Sequence, residues 1–193
     1  MRSLAPFLVL LAACSYITEP YANPADPVTV DLVNRSAAVV YLPLTDARTP
    51  LDAALTFAAK GSDPFKAALS CADVSCSAGC DVQTCARVSA VRELSPGEAL
   101  LVDWDNFRYD EGELACTVSG ESRACVSGSR VPKGRYLARV CFGRGIKAAA
   151  AQMQRSAADP QIIVGAAIDV EECLAPLELG VPGYNVRYEI EIR

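Results

Sequence analysis

Tyr184-Asn185-Val186-Arg187-Tyr188-Glu189-Ile190-Glu191-Ile192-Arg193 closes the chain. Successive side chains of an extended backbone point to opposite faces. Val186, Tyr188, Ile190 and Ile192 therefore share one face, and Arg187, Glu189, Glu191 and Arg193 share the other. One apolar and one charged face mark a strand with a core on one side and water on the other. A helix of 3.6 residues per turn would scatter the same residues around its circumference. The fold class follows from how often this pattern recurs.

It recurs along most of the chain. Tyr136, Ala138, Val140 and Phe142 alternate after the turn Pro132-Lys133-Gly134. Leu100, Val102 and Trp104 alternate after Ser95-Pro96-Gly97, and a strand is expected over 87–94 before that turn. Val28, Val30 and Leu32 begin a further strand, which Asn34-Arg35-Ser36 punctuates before Val39 and Tyr41 resume the period. Residues 112–125 read as a hairpin. Residues 51–60 are ambiguous, because Leu55-Thr56-Phe57 suits a strand and the alanines suit a helix. Lys147-Ala148-Ala149-Ala150-Ala151-Gln152-Met153-Gln154-Arg155 breaks the rhythm with good helix formers, so a short helical insertion is expected over 146–158. Short strands with Gly and Pro turns predict a mainly β chain, a disulfide-stapled antiparallel β-sandwich over 28–193.

Nine cysteines are present: Cys14, Cys71, Cys76, Cys80, Cys85, Cys116, Cys125, Cys141 and Cys173. The odd number leaves one sulfur over if the rest pair. Cys71, Cys76, Cys80 and Cys85 lie close enough to pair among themselves in a loop over 71–85. Cys116 and Cys125 flank a Gly- and Ser-containing stretch and read as a staple at the base of the hairpin. Cys141 and Cys173 then remain for a longer closure. Four clustered thiolates also suit zinc or an iron–sulfur centre. The spacing is near the plant-type ferredoxin pattern without matching it, and no Cys-x-x-Cys occurs. Disulfides are expected, and no metal.

The odd cysteine has a place. Arg2 precedes an apolar run from Leu4 to Leu11, and Leu10-Leu11-Ala12-Ala13-Cys14 ends it with small residues. The run is about half of the ~20 residues a bilayer-spanning helix needs. It resembles the lipobox signal of bacterial lipoproteins. The resemblance implies a signal peptide over 1–13 and a mature chain beginning at Cys14. It also implies acyl chains such as palmitate on that sulfur, a lipid anchor in the cell envelope. Ser15 follows the cysteine, and in the Gram-negative sorting rule a residue other than Asp there implies the outer membrane. Pro20, Pro24 and Pro27 make residues 14–27 a lipidated, semi-rigid tether. A conventional signal peptide cut later, after Ala22, is the alternative. Asn34-Arg35-Ser36 matches a glycosylation sequon, which carries little meaning in a bacterial lipoprotein.

Leu94-Ser95-Pro96-Gly97-Glu98, then Trp104, then Pro132-Lys133-Gly134-Arg135-Tyr136 is similar to the end of immunoglobulin-like bacterial domains of the proteinase-inhibitor type. Those domains run a proline–glycine turn, a strand ending in tryptophan, a second turn and a tyrosine strand. The likeness spans about residues 87–142. Asp105-Asn106 stands where a glycine is usual. It implies an immunoglobulin-like sandwich.

The net charge is −5, and removal of 1–13 takes only Arg2 and makes it −6. That balance argues against nucleic acid and against electrostatic docking on anionic lipid. The chain has no histidine, which removes Ser-His-Asp, Cys-His and histidine-based metal chemistry. The richest polar segment is Asp103-Trp104-Asp105-Asn106-Phe107-Arg108-Tyr109-Asp110-Glu111, read as an inter-strand loop. Asp103, Asp105 and Asp110 offer oxygen ligands to calcium, although the spacing departs from an EF-hand loop. Trp104 or Tyr109 offers a face for a sugar ring. The plain alternative is a core tryptophan beside a solvated acidic loop.

The function expected is a non-enzymatic, membrane-anchored module whose loops meet an envelope protein or a glycan. A protease inhibitor presenting a disulfide-rigidified loop 71–85 is the alternative. A carbohydrate enzyme using Asp103, Asp105, Asp110 or Glu111 ranks below it.

Overall fold

The computed structural model describes residues 27–70, 73–76, 88–118, 121–181 and 187–193. Residues 1–26, which include Cys14 and the expected signal peptide and most of the expected tether, lie outside them, as do Cys71, Cys80, Cys85 and residues 182–186 before the closing strand. The first strands are β1 (Val28–Asn34), β2 (Val40–Leu44), β3 (Leu55–Ala59), β4 (Pro64–Phe65), β5 (Ala90–Leu94) and β6 (Ala99–Trp104). A long hairpin follows, β7 (Phe107–Val118) and β8 (Glu121–Arg130), then β9 (Gly134–Phe142) and β10 (Ile146–Ala148). The last are β11 (Gln154–Arg155), β12 (Ile162–Val164), β13 (Ala166–Ile168), β14 (Glu172–Cys173), β15 (Leu177–Val181) and β16 (Arg187–Ile192). The chain is mainly β, with no helix among the described residues.

Alternation predicted the buried sides well. In β9, Tyr136, Ala138, Val140 and Phe142 are buried, and in β16 Ile190 and Ile192 are. Strand direction was not legible, since an alternating pattern is the same for either sense. β1 is the middle of a three-stranded sheet, with Val30 opposite Val102 of antiparallel β6 and Leu32 opposite Ile190 of β16. The β1–β16 pairing is parallel, a departure from the all-antiparallel expectation. Asp31, nearly buried, accepts two hydrogen bonds from the Arg187 guanidinium and ties these strands together.

β9 organises a second sheet, with β3 on one flank and β14 and β15 on the other. Where β3 leaves that flank, Tyr41 takes over, exchanging backbone hydrogen bonds of 2.8 and 2.9 Å with Gly143. Tyr41 belongs to a third group in the order β11-β12-β5-β2. Inward side chains of β1, β6 and β16 meet those of β2, β3, β9 and β15 in one apolar cluster. At its centre the Trp104 ring stacks on Phe57, centroids 4.2 Å apart, and meets Tyr136 edge-on at 5.9 Å. The indole N–H donates to the Phe107 carbonyl at 2.8 Å, so the buried ring leaves no polar group unsatisfied.

The helical insertion over 146–158 is absent. β10 pairs antiparallel with β13, and β11 with β12. Residues 148–155 are all exposed, so a helix there would have no face to bury. So short a helix without packing does not repay its nucleation cost. Gly165 makes the alternative turn: its φ is 78°, and a Cβ there would fall 2.3 Å from the Gln152 carbonyl oxygen. Residues 51–60 resolve as strand β3 after a tight turn, in which Pro50 O accepts from Ala54 and Leu55 N–H at 2.8 Å.

The cysteine pairing is corrected in part. Cys141 and Cys173 do pair, directly opposite one another on β9 and β14 with Cα atoms 4.0 Å apart. Cys125, however, pairs with Cys76, Cα atoms 5.0 Å apart, and not with Cys116. The register explains this. Cys116 lies opposite Arg123, and Cys125 falls where β7 slips between Glu111 and Ala115. Cys76 accordingly does not pair inside loop 71–85. Cys116 is buried and disulfide-bonded as well. Asn34 of the sequon is fully buried, its amide donating to the Ala38 and Leu94 carbonyls at 2.8 Å.

Candidate binding site

The acidic–aromatic segment is mostly strand rather than loop. Only Asp105 and Asn106 form the turn between β6 and β7. The Asp105 carboxylate accepts the Phe107 N–H at 3.1 Å, and Asn106 takes a φ of 64°. Asn tolerates that left-handed backbone better than most residues. From there Phe107 and Tyr109 share a face of β7, with ring centroids 6.3 Å apart and planes within 25°. Tyr109 lies opposite Gly128 of β8. A Cβ on Gly128 would come within 2.8 Å of the Tyr109 ring, so the glycine makes room for it.

A strap formed by residues 66–70 and 73–76 runs along this hairpin. Tyr109 N–H donates to Lys66 O at 2.8 Å, and Val126 N–H to Val74 O at 2.7 Å. Cys76 N–H donates to Val126 O at 3.1 Å, beside the Cys76–Cys125 bridge. Two carboxylates hold the strap's shape. Asp52 accepts from Ala67 and Ala68 N–H, each at 2.7 Å. Asp73 accepts from the Lys66 ammonium and from Ser70 N–H. Burial pushes the Asp52 carboxyl up, and the two backbone donors only partly offset it. Burial also acts on Asp73, but the Lys66 and Ser70 hydrogen bonds outweigh it and hold its carboxyl below the usual range.

Between strap and hairpin lies a groove of about 240 Å³, lined by Leu69, Ser75, Asp105, Phe107, Tyr109, Val126 and Gly128. Burial raises the Tyr109 phenol above its ordinary value, and the Asp105 and Asp52 carboxylates add to the shift. A tyrosine phenol is un-ionised near neutral pH even without this shift, and so can donate a hydrogen bond. Arg130 sits near the floor, its Cζ 4.7 Å from the centre of the Phe107 ring.

The residues singled out in the sequence separate. Asp105 and Tyr109 meet in the groove. Asp103 is on the outer face of the first sheet, accepting from the Thr29 hydroxyl at 2.7 Å. Trp104 is fully buried and has no face to offer a sugar. Asp110 and Glu111 are exposed, and Asp110 pairs with Arg108 at 2.8 Å. Among the described residues, Asp103, Asp105 and Asp110 do not converge as calcium ligands would. The one close trio of ligand-type side chains among the described residues is Cys141, Glu171 and Cys173, in which the two sulfurs bond each other.

No protein-family model, no curated protein and no solved structure matches the chain. The site must therefore be judged by its chemistry. Its lining holds one carboxylate, whereas glycoside hydrolysis ordinarily needs two flanking the bond. Its lining combines the apolar side chains of Leu69, Phe107 and Val126 with the polar groups of Ser75, Asp105 and Tyr109. Sequence reasoning missed Leu69, Ser75, Phe107, Val126 and Gly128 as lining. The period-two pairs Phe107/Tyr109 and Val126/Gly128 were visible, but nothing in the sequence placed 66–76 beside them.

Proposed function

We propose that this chain is an exported bacterial lipoprotein, held in the cell envelope by acylated Cys14, whose folded domain is a non-enzymatic binding module. The supporting observation is the state of the sulfurs. All five described cysteines, Cys76, Cys116, Cys125, Cys141 and Cys173, are disulfide-bonded. Structural disulfides persist in oxidising compartments, outside the cytosol. Complete pairing of an odd number leaves one cysteine over, and Cys14 ends an apolar run behind two alanines. Ser15 favours the outer membrane.

The domain is an immunoglobulin-like β-sandwich in this proposal. Its support is the shared core between the β16-β1-β6 sheet and the strands around β9. The partner is an envelope component that reaches the groove beside the β7–β8 hairpin. A protease inhibitor built on loop 71–85 draws less support, since Cys76 ties that loop to β8 rather than to itself. Metabolic labelling with palmitate tests the anchor. Label should enter the chain and vanish in Cys14→Ala; unlabelled wild-type chain refutes the proposal.

A further inference from the structure

We infer that the groove between the strap, residues 66–70 and 73–76, and the β7–β8 hairpin binds one pyranose ring of a neutral glycan. This rests on the binding-module reading and names its ligand class. The floor is the pair Phe107 and Tyr109, whose planes lie within 25° of each other. An aromatic face is electron-rich, and the C–H face of a sugar ring is weakly positive and apolar, so the two are complementary. Leu69 and Val126 add apolar wall. The lining also carries polar groups: the Asp105 carboxylate accepts from sugar hydroxyls, and the Tyr109 phenol donates.

Size and charge both narrow the choice. A groove of about 240 Å³ is below the ~300–1,000 Å³ of ordinary small-molecule pockets, so it suits one ring of a larger chain rather than a whole compact ligand. Asp105 carries a negative charge, while the Arg130 guanidinium lies 4.7 Å from the Phe107 ring centre. The Asp105 and Asp52 carboxylates, both of which act on Tyr109, repel a carboxylate ligand, and the Arg130 guanidinium repels an ammonium at the Phe107 ring. A purely apolar side chain would desolvate the Asp105 carboxylate without satisfying the lone pairs that the Phe107 N–H leaves open. A neutral polyhydroxylated ring satisfies floor and rim together.

Gly128 gives a variant that retains every recognition group and disturbs only where two of them sit. A Cβ there would press on Tyr109 at 2.8 Å and Phe107 at 3.3 Å, tilting both rings. The test uses the full chain with its disulfides intact. Backbone amide shifts are followed during titration with the β-1,4 trimer of N-acetylglucosamine, with maltotriose and with cellotriose. Tetramethylammonium and phenylalaninamide serve as competing probes. The expected result is shifts confined to Phe107, Tyr109, Val126 and Gly128 with at least one trisaccharide. They should fall at least tenfold in apparent affinity in Gly128→Ala and in Tyr109→Leu, with both variants folded by circular dichroism. No shift with any trisaccharide, shifts only with a competing probe, or shifts unchanged in both variants would each overturn the inference. A chain that carries fatty acid on Cys14 and binds no glycan refutes this inference alone.

Discussion

Cys76 and Cys125 are joined across 49 residues of sequence, and their sulfurs lie over Gly112. A Cβ at Gly112 would stand 2.7 Å from the Cys76 sulfur and 3.1 Å from that of Cys125. The bridge therefore both anchors the strap to the hairpin and dictates a residue without a side chain beneath it. Loss of a bridge closing a loop of this length costs about 2–4 kcal/mol. Cys76→Ala with Cys125→Ala should lower stability by that order in urea unfolding and expose the strap's amides to hydrogen exchange. Gly112→Ala should destabilise the oxidised chain and have less effect once the bridge is absent. Equal effects in both backgrounds would show that the glycine serves something else.

The stacked pair Phe57 and Trp104 supports both core-facing sheets at once. Both rings are fully buried. Truncation of either to alanine should cost about 3–5 kcal/mol, the range for a large aromatic lost from a packed core. Denaturant midpoints at constant slope measure it. A loss below about 1 kcal/mol would mean that the site collapses or that the ring is not buried.

The strap should respond to acid through Asp73. Its carboxyl titrates below the ordinary value because the Lys66 and Ser70 hydrogen bonds overcome burial. A depressed carboxylate stabilises the fold above its unfolded pKa, and that contribution is lost as pH falls through the folded pKa. Asp52 has the opposite sign, since its carboxyl is raised by burial. Its contribution is present below the unfolded pKa and disappears as pH rises through the folded value. Asp73→Asn should therefore lower the melting temperature at neutral pH and flatten the decline below about pH 4. Asp52→Asn should spare the acid limb and lose little at neutral pH beyond the two backbone hydrogen bonds. A parallel downward shift of the whole profile in Asp73→Asn would contradict this assignment.

The nearly buried Asp31 accepts both hydrogen bonds of the Arg187 side chain. Arg187→Ala should lower stability, because it removes both donors from a carboxylate that is largely withdrawn from water. The double change Asp31→Ala with Arg187→Ala should cost less than the sum of the single changes. Thermal unfolding of all four chains decides it, and additivity would show that the pair is not coupled.

What the sequence made legible was local. Alternation fixed which faces of β9 and β16 are buried, because a two-residue period directly reflects strand geometry. It gave no direction for β16, which runs parallel to β1. Helix propensity misled at 146–158, where four alanines carry no apolar face to pack. Cys141 and Cys173 paired as expected. The Cys76–Cys125 bridge was hidden because it depends on the register slip between Glu111 and Ala115. The groove was half visible: Asp105 and Tyr109 stood out by their chemistry. Leu69 and Ser75 arrive through tertiary contacts that no local pattern records.

The account depends most on how the sulfurs are used, and intact mass of the native product, before and after alkylation without reductant, measures that directly. The predicted species starts at Cys14, carries the added mass of acyl chains, and takes up no alkylating agent because the other eight cysteines are paired. A product that keeps residues 1–13, lacks fatty acid and is alkylated at several cysteines would contradict it.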